Sequence, residues 1–144
     1  MKCAATNEPT RLSVTPDHVI RMPVGLLGFE QIREYVLLAD PAEEPFLWLQ
    51  VLNDPKLAFL VVAPLPLIPA YRPELGPEDV RSLGLERAED ASVLSIVTVH
   101  GPDEATMNLK GPIIVNRHTL VARQVIPTNA AEFSVQHPLP VARS

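Results

Sequence analysis

Glycine is scarce in this sequence and cysteine almost absent, and the two shortages bound the fold before any pattern is read. Six glycines stand against sixteen prolines in 144 residues. Prolines at such short intervals exclude long helices, because each one removes an N–H and clashes with the preceding turn. The one cysteine, Cys3, cannot form an internal disulfide, so nothing demands an oxidising compartment. Long apolar runs are missing too. The longest, Leu57 to Ile68, is interrupted by Pro64 and Pro66 and falls well short of the ~20 residues that cross a bilayer. The stretch Met1 to Pro9 has no apolar core of the kind a signal peptide needs, so the cytoplasm is the expected location. Bases are outnumbered, 12 against 17 acids for a net charge of −5, and no run of them occurs. Binding to phosphates needs a concentrated basic face, so this balance argues against direct contact with RNA or DNA.

What is present is apolar and β-forming. A 47% apolar share excludes a disordered chain, and the length suits one domain that buries roughly two-thirds of its unfolded surface. Short β-branched runs recur between turn signals: Arg11–Thr15, His18–Met22, Tyr35–Leu38, Phe46–Val51, Ala58–Val62, Ser92–Val99, Pro112–Asn116 and Leu120–Ile126. The first two flank Pro16-Asp17 as the arms of a hairpin. Eight such strands predict a mainly β fold, a compact antiparallel barrel-like single domain. Residues 1–10 read as a flexible extension, 11–139 as the domain and 140–144 as a tail. Two short helical segments are expected, Phe29–Glu34 after Gly28 and Pro77–Leu83. The second has Pro77 at its first position, Glu78 and Asp79 in its first turn and Gly84 at its stop. A further turn is expected over 87–91.

Residues able to do chemistry do not cluster. His18, His100, His118 and His137 lack metal-ligand spacing, and only His100 has nearby carboxylates, Asp103 and Glu104, beyond a Gly-Pro turn. No G-x-S-x-G elbow occurs, and Gly25-Leu26-Leu27-Gly28 has no Lys-Ser/Thr to make a phosphate loop. These glycines read as tight turns at positive φ. No enzyme, metal or cofactor is therefore expected.

Two features fit binding instead. From Glu74 to Asp90 six acids (Glu74, Glu78, Asp79, Glu86, Glu89, Asp90) face only Arg81 and Arg87, whereas Ala105 to Ala131 holds no acid but carries Lys110, Arg117 and Arg123. Such a stretch is either a solvated face or a negative patch that steers a basic partner. In the run 46–51, Phe46 and Trp48 share one face while Leu47 and Leu49 take the other, so the strand is covered on both sides or offers one side to a partner. Trp48 is core or interface anchor on the same grounds. The apolar loop Leu65–Tyr71 closes the fold or forms a recognition surface.

Taken in order, several segments resemble one family, the bacterial flagellar assembly factor FliW. They are Gly25–Glu30, Pro45–Gln50, Asn53-Asp54-Pro55 with Leu57–Val62, Tyr71, Val93–Val99, Met107–Asn116, Gln124-Val125-Ile126 and Phe133–Leu139. Leu27, Asn53 and Gly111 depart from the residues common in the family. The resemblance implies a β-barrel-like fold without a catalytic site and two mutually exclusive partners. One is flagellin, held through its C-terminal region before export. The other is CsrA, a small basic RNA-binding dimer that represses flagellin messenger RNA. On this reading the acidic stretch with Glu74, Glu78 and Asp79, and nearby Tyr71, meets the regulator. Phe29, Trp48, Leu67 and Ile68 meet flagellin. A chaperone that binds flagellin alone is the alternative. With no heptad or self-pairing strand, a monomer is expected.

Overall fold

The chain folds as a bent antiparallel sheet with a short helix laid on its outside. The computed structural model describes residues 19–39, 41–65, 67–102 and 104–139. The expected strand Arg11–Thr15, Cys3, His18, the N-terminal extension and the C-terminal tail lie outside them. Among the described residues there are nine strands: β1 (Val19–Arg21), β2 (Glu34–Ala39), β3 (Leu47–Val51), β4 (Ala58–Val62), β5 (Ala91–Gly101), β6 (Glu104–Met107), β7 (Ile113–Asn116), β8 (Ala122–Gln124) and β9 (His137–Pro138). Helix α1 spans Pro77–Leu83, and single 3-10 turns cover Pro41–Glu43, Ala88–Asp90 and Ala130–Glu132.

Neighbours run β1-β2-β3-β4-β5-β6-β9, with β7 pairing β5 and β8 pairing β7, every ladder antiparallel. The eleven residues of β5 serve three partners: Ala91–Leu94 pair with β7, Ser95 and Ile96 with β4, and Val97–Gly101 with β6. The sheet curls without closing. Among the described residues, β1 and the β8 edge meet at a parallel bridge between Arg21 and Val121, where the Arg21 N–H donates to the Leu120 carbonyl at 2.9 Å.

Strand alternation sorts the apolar side chains into layers. Leu49, Val51, Val61, Leu94, Ile113 and Val115 point into the curl, with Ile20, Met22, Leu26 and Tyr35. On the opposite face of β4 and β5, Val62 and Val97 pack with Tyr71, Met107, Leu109 and Leu139. The four residues of β7 are all buried because its outer face is covered as well: Ile114 lies with Leu83 of α1 and Val125. The predicted division of residues 46–51 holds, since Leu47 and Leu49 face the inner cluster and Phe46 the outer one.

Of the two expected helices only Pro77–Leu83 forms. Over 29–34 the chain makes consecutive turns, Phe29 N–H to the Leu26 carbonyl at 2.7 Å and Ile32 N–H to the Phe29 carbonyl at 3.1 Å, and β2 begins at Glu34. Gly25 dictates this route. Its φ is +69°, and a Cβ there would lie 2.6 Å from the Glu30 Cα, so the loop folds back through a position only glycine can occupy.

Candidate functional site

Helix α1 owes its position to both of its ends. Pro77 opens it, and Gly84 closes it in the left-handed region (φ 68°), with its N–H on the Arg81 carbonyl. Leu83 is buried, while Pro77, Glu78, Arg81 and Ser82 face solvent. Asp79 turns toward the sheet, its Oδ1 3.5 Å from the Arg123 Nε, and Arg123 Nη1 donates to Ser82 Oγ at 2.8 Å. One acid of the predicted patch is thus engaged by a cation of the acid-free stretch. Glu74 sits in a strap pinned by its backbone: its N–H donates to Asn129 Oδ1 at 2.9 Å and its carbonyl accepts the Thr128 N–H at 2.8 Å. Asn129 Nδ2 also donates to the Arg72 carbonyl at 2.9 Å. Glu74 and Glu78 are therefore presented outward on a fixed frame.

Tyr71 does not join them on the surface. It is 2% exposed, its ring meets Phe133 edge-on with centroids 4.8 Å apart, and its hydroxyl donates to the Leu109 carbonyl at 2.7 Å. Burial pushes its phenol up to about 12. Its part is to anchor the base of the acidic strap from within, and it offers no face to a partner.

Beyond the helix, two polar side chains hold the turns. Asn116, 3% exposed, donates through Nδ2 to the Leu83 carbonyl at 2.9 Å. Its Oδ1 accepts from the N–H groups of His118 (2.9 Å) and Thr119 (3.2 Å). Asp90 accepts the Glu86 and Arg87 N–H groups at 3.0 Å each and lies 3.0 Å from His118 Nε2. The two backbone donors, and after them the histidine, hold its carboxyl below the usual carboxylate range. Among the described residues no group of three or more His, Cys, Asp or Glu is arranged to hold a metal ion, and no helix is long and apolar enough to cross a membrane.

The four apolar candidates do not form one patch. Phe29, 40% exposed, stacks edge-on against Phe59 with centroids 5.1 Å apart, beside the inner cluster. Trp48 is half-buried on the outer face of β3, opposite Leu60 of β4 and Leu38 of β2, and its Nε1 donates to Glu43 Oε1 at 3.0 Å. It lines a cleft of about 310 Å³ that also includes Phe46 and Val99. Leu67 and Ile68 both donate their N–H groups to the Pro64 carbonyl, and their half-buried side chains cover the outer cluster that Phe46 and Leu60 join. Trp48 and the Leu67-Ile68 loop therefore belong to one side of the sheet and Phe29 to the other. Arg123, Asn116 and Asn129 had no local sequence signal, because each acts on a segment more than thirty residues away.

Comparison with known proteins agrees with this architecture. The model of the FliW protein family matches residues 3–139. The flagellar assembly factor FliW of Leptospira interrogans is 33% identical over 121 residues, 83% of this chain and 81% of that protein. Its counterpart in Natranaerobius thermophilus is 32% identical over 130 residues, 89% of this chain and 85% of that protein. A crystal structure of the flagellar assembly factor FliW superposes with a TM-score of 0.83 at 30% identity, covering 92% of this chain and 93% of the other. The chain belongs to the FliW family.

Proposed function

We propose that this FliW-family chain is a cytoplasmic flagellar assembly factor that works by binding proteins in turn and catalyses nothing. It binds flagellin and, alternatively, a CsrA-type translational regulator, so that the free pool of one partner sets release of the other. The observation that carries this reading is the family match across residues 3–139. Two features of the fold support it. Glu74 and Glu78 are exposed carboxylates on a pinned strap and a capped helix, which suits a basic partner. Trp48 and the Leu67-Ile68 loop leave apolar surface half-open on one side of the sheet, which suits a partner segment that orders on docking. Phe29 serves as a separate apolar contact.

The charge reversal that tests the first contact is Glu74→Lys with Glu78→Lys, because changing Asp79 would also break its pair with Arg123. Titrated calorimetrically with CsrA at two salt concentrations, the double variant binds about tenfold more weakly, the loss of roughly 1.4 kcal/mol expected of two screened ion pairs, and its affinity depends less on salt. Unchanged affinity and unchanged salt dependence would remove the acidic strap from the interface.

A further inference from the structure

Beside its outer cluster, the outer face of the sheet is open in a cleft that crosses three neighbouring strands, β3, β4 and β5. Trp48 of β3, Leu60 of β4 and Val97 and Val99 of β5 form an apolar floor, and Val99 is 46% exposed. Around that floor stand Glu43, Glu44 and Glu104, and among the described residues no Lys, Arg or His lines the cleft. Glu43 receives the Trp48 indole N–H. Glu44 and Glu104 make no ion pair or side-chain hydrogen bond with another described residue. An apolar floor with a rim of one sign is a specific recognition chemistry: the floor gains from burial and the rim from an opposite charge.

We infer that this groove is a docking site for a short segment of a protein partner in which a long aliphatic or aromatic side chain stands next to Lys or Arg. The apolar side chain lies on Trp48 and Val99, and the cation reaches Glu44 or Glu104. Charge selects this occupant over the others. A nucleic acid or an anionic membrane would bring phosphates against the three glutamates. A second copy docked through the same face would set rim against rim, since a two-fold contact pairs a surface with itself. The cleft, about 310 Å³ and open along the sheet, takes side chains of a polypeptide rather than enclosing a small ligand. The inference deepens the reading of Trp48 as a partner contact and rests on it, by adding a cation to what that contact requires.

Trp48 is the only tryptophan of the chain, so its emission reports on this groove and nowhere else. The probes are three synthetic hexapeptides, alternating Leu-Lys, Leu-Glu and Ser-Lys, titrated into the full chain. The Leu-Lys peptide shifts the emission saturably and binds more weakly as salt rises, while the other two do not saturate. Glu44→Gln with Glu104→Gln weakens Leu-Lys binding about fivefold, the scale of two exposed ion pairs. Glu86→Gln with Glu89→Gln makes the same change of net charge elsewhere and alters it less than twofold. Equal responses to Leu-Lys and Leu-Glu, or equal losses in the two double variants, overturn the inference. If deleting residues 140–144 itself shifts the emission and tightens the peptide, the groove belongs to the chain's own terminus and the inference also falls. Flagellin and CsrA titrations of the same variants are read separately, so failure of the groove chemistry is distinguishable from failure of partner binding.

Discussion

Tyr71 shows how one side chain links the core to the acidic surface. Its hydroxyl satisfies the Leu109 carbonyl, which has no water to turn to. Tyr71→Phe leaves that acceptor unpaired, and a urea titration at pH 8 is expected to show a loss of about 1–3 kcal/mol. The raised phenol adds a pH signature. The folded state opposes ionisation, so this stabilisation is whole below pH 10 and is lost as pH climbs through about 12. The wild type should therefore weaken over that window more steeply than Tyr71→Phe. Tyr35, also raised by burial, keeps part of the slope in the variant. Equal slopes would show that Tyr71 ionises without opposition. Asn116 makes a sharper case. Asn116→Asp keeps the acceptor for His118 and Thr119 but sets a carboxylate oxygen against the Leu83 carbonyl at 2.9 Å. Chemical denaturation should register a loss of about 2–3 kcal/mol, and a change under about 0.5 kcal/mol would mean the helix C-terminus is held by other contacts.

At the scale of elements, α1 is a seven-residue helix that packing and caps sustain, since propensity alone does not hold so short a segment. Gly84→Ala forces a Cβ into the left-handed region, at a cost of about 1–2 kcal/mol. The expected result is a melting temperature lower by several degrees with the sheet intact, and an unchanged melt would mean the cap relaxes freely. The helix was legible because its stop and start signals are local: Pro77, two acids, Gly84. The strands with β-branched runs were legible for the same reason. Strand β6 was not, because Glu-Ala-Thr-Met carries no β-branched run and is held by its hairpin with β5 and the returning β9. Nor was β9, two residues that pair because the chain returns to β6. The helix expected over 29–34 gave way to turns because Gly25 and Gly28, both at positive φ, commit the chain to a loop first. Tyr71 looked like surface in a proline-rich loop. The ring that buries it, Phe133, is far along the sequence, and such a contact has no local trace.

Across the whole molecule, charge and apolar surface are arranged on different elements. The acids of the 74–90 stretch lie on the strap, α1 and the turns after it, and Arg123 from the acid-free stretch reaches across to neutralise Asp79. What remains outward, Glu74, Glu78, Glu86 and Glu89, is separate from the groove at Trp48. Two partners could therefore meet the chain at different places and still exclude one another by overlap or by linked conformation, and the coupling is the quantity to measure. On the proposed function, this chain exchanges one protein partner for another. The most direct test is to titrate it into a preformed complex of CsrA with flagellin leader RNA, with and without flagellin, following RNA release by fluorescence anisotropy. Partner exchange predicts release of the RNA that added flagellin suppresses in a dose-dependent way. Retention of the RNA at saturating protein, with flagellin binding intact, would contradict it and leave a flagellin chaperone.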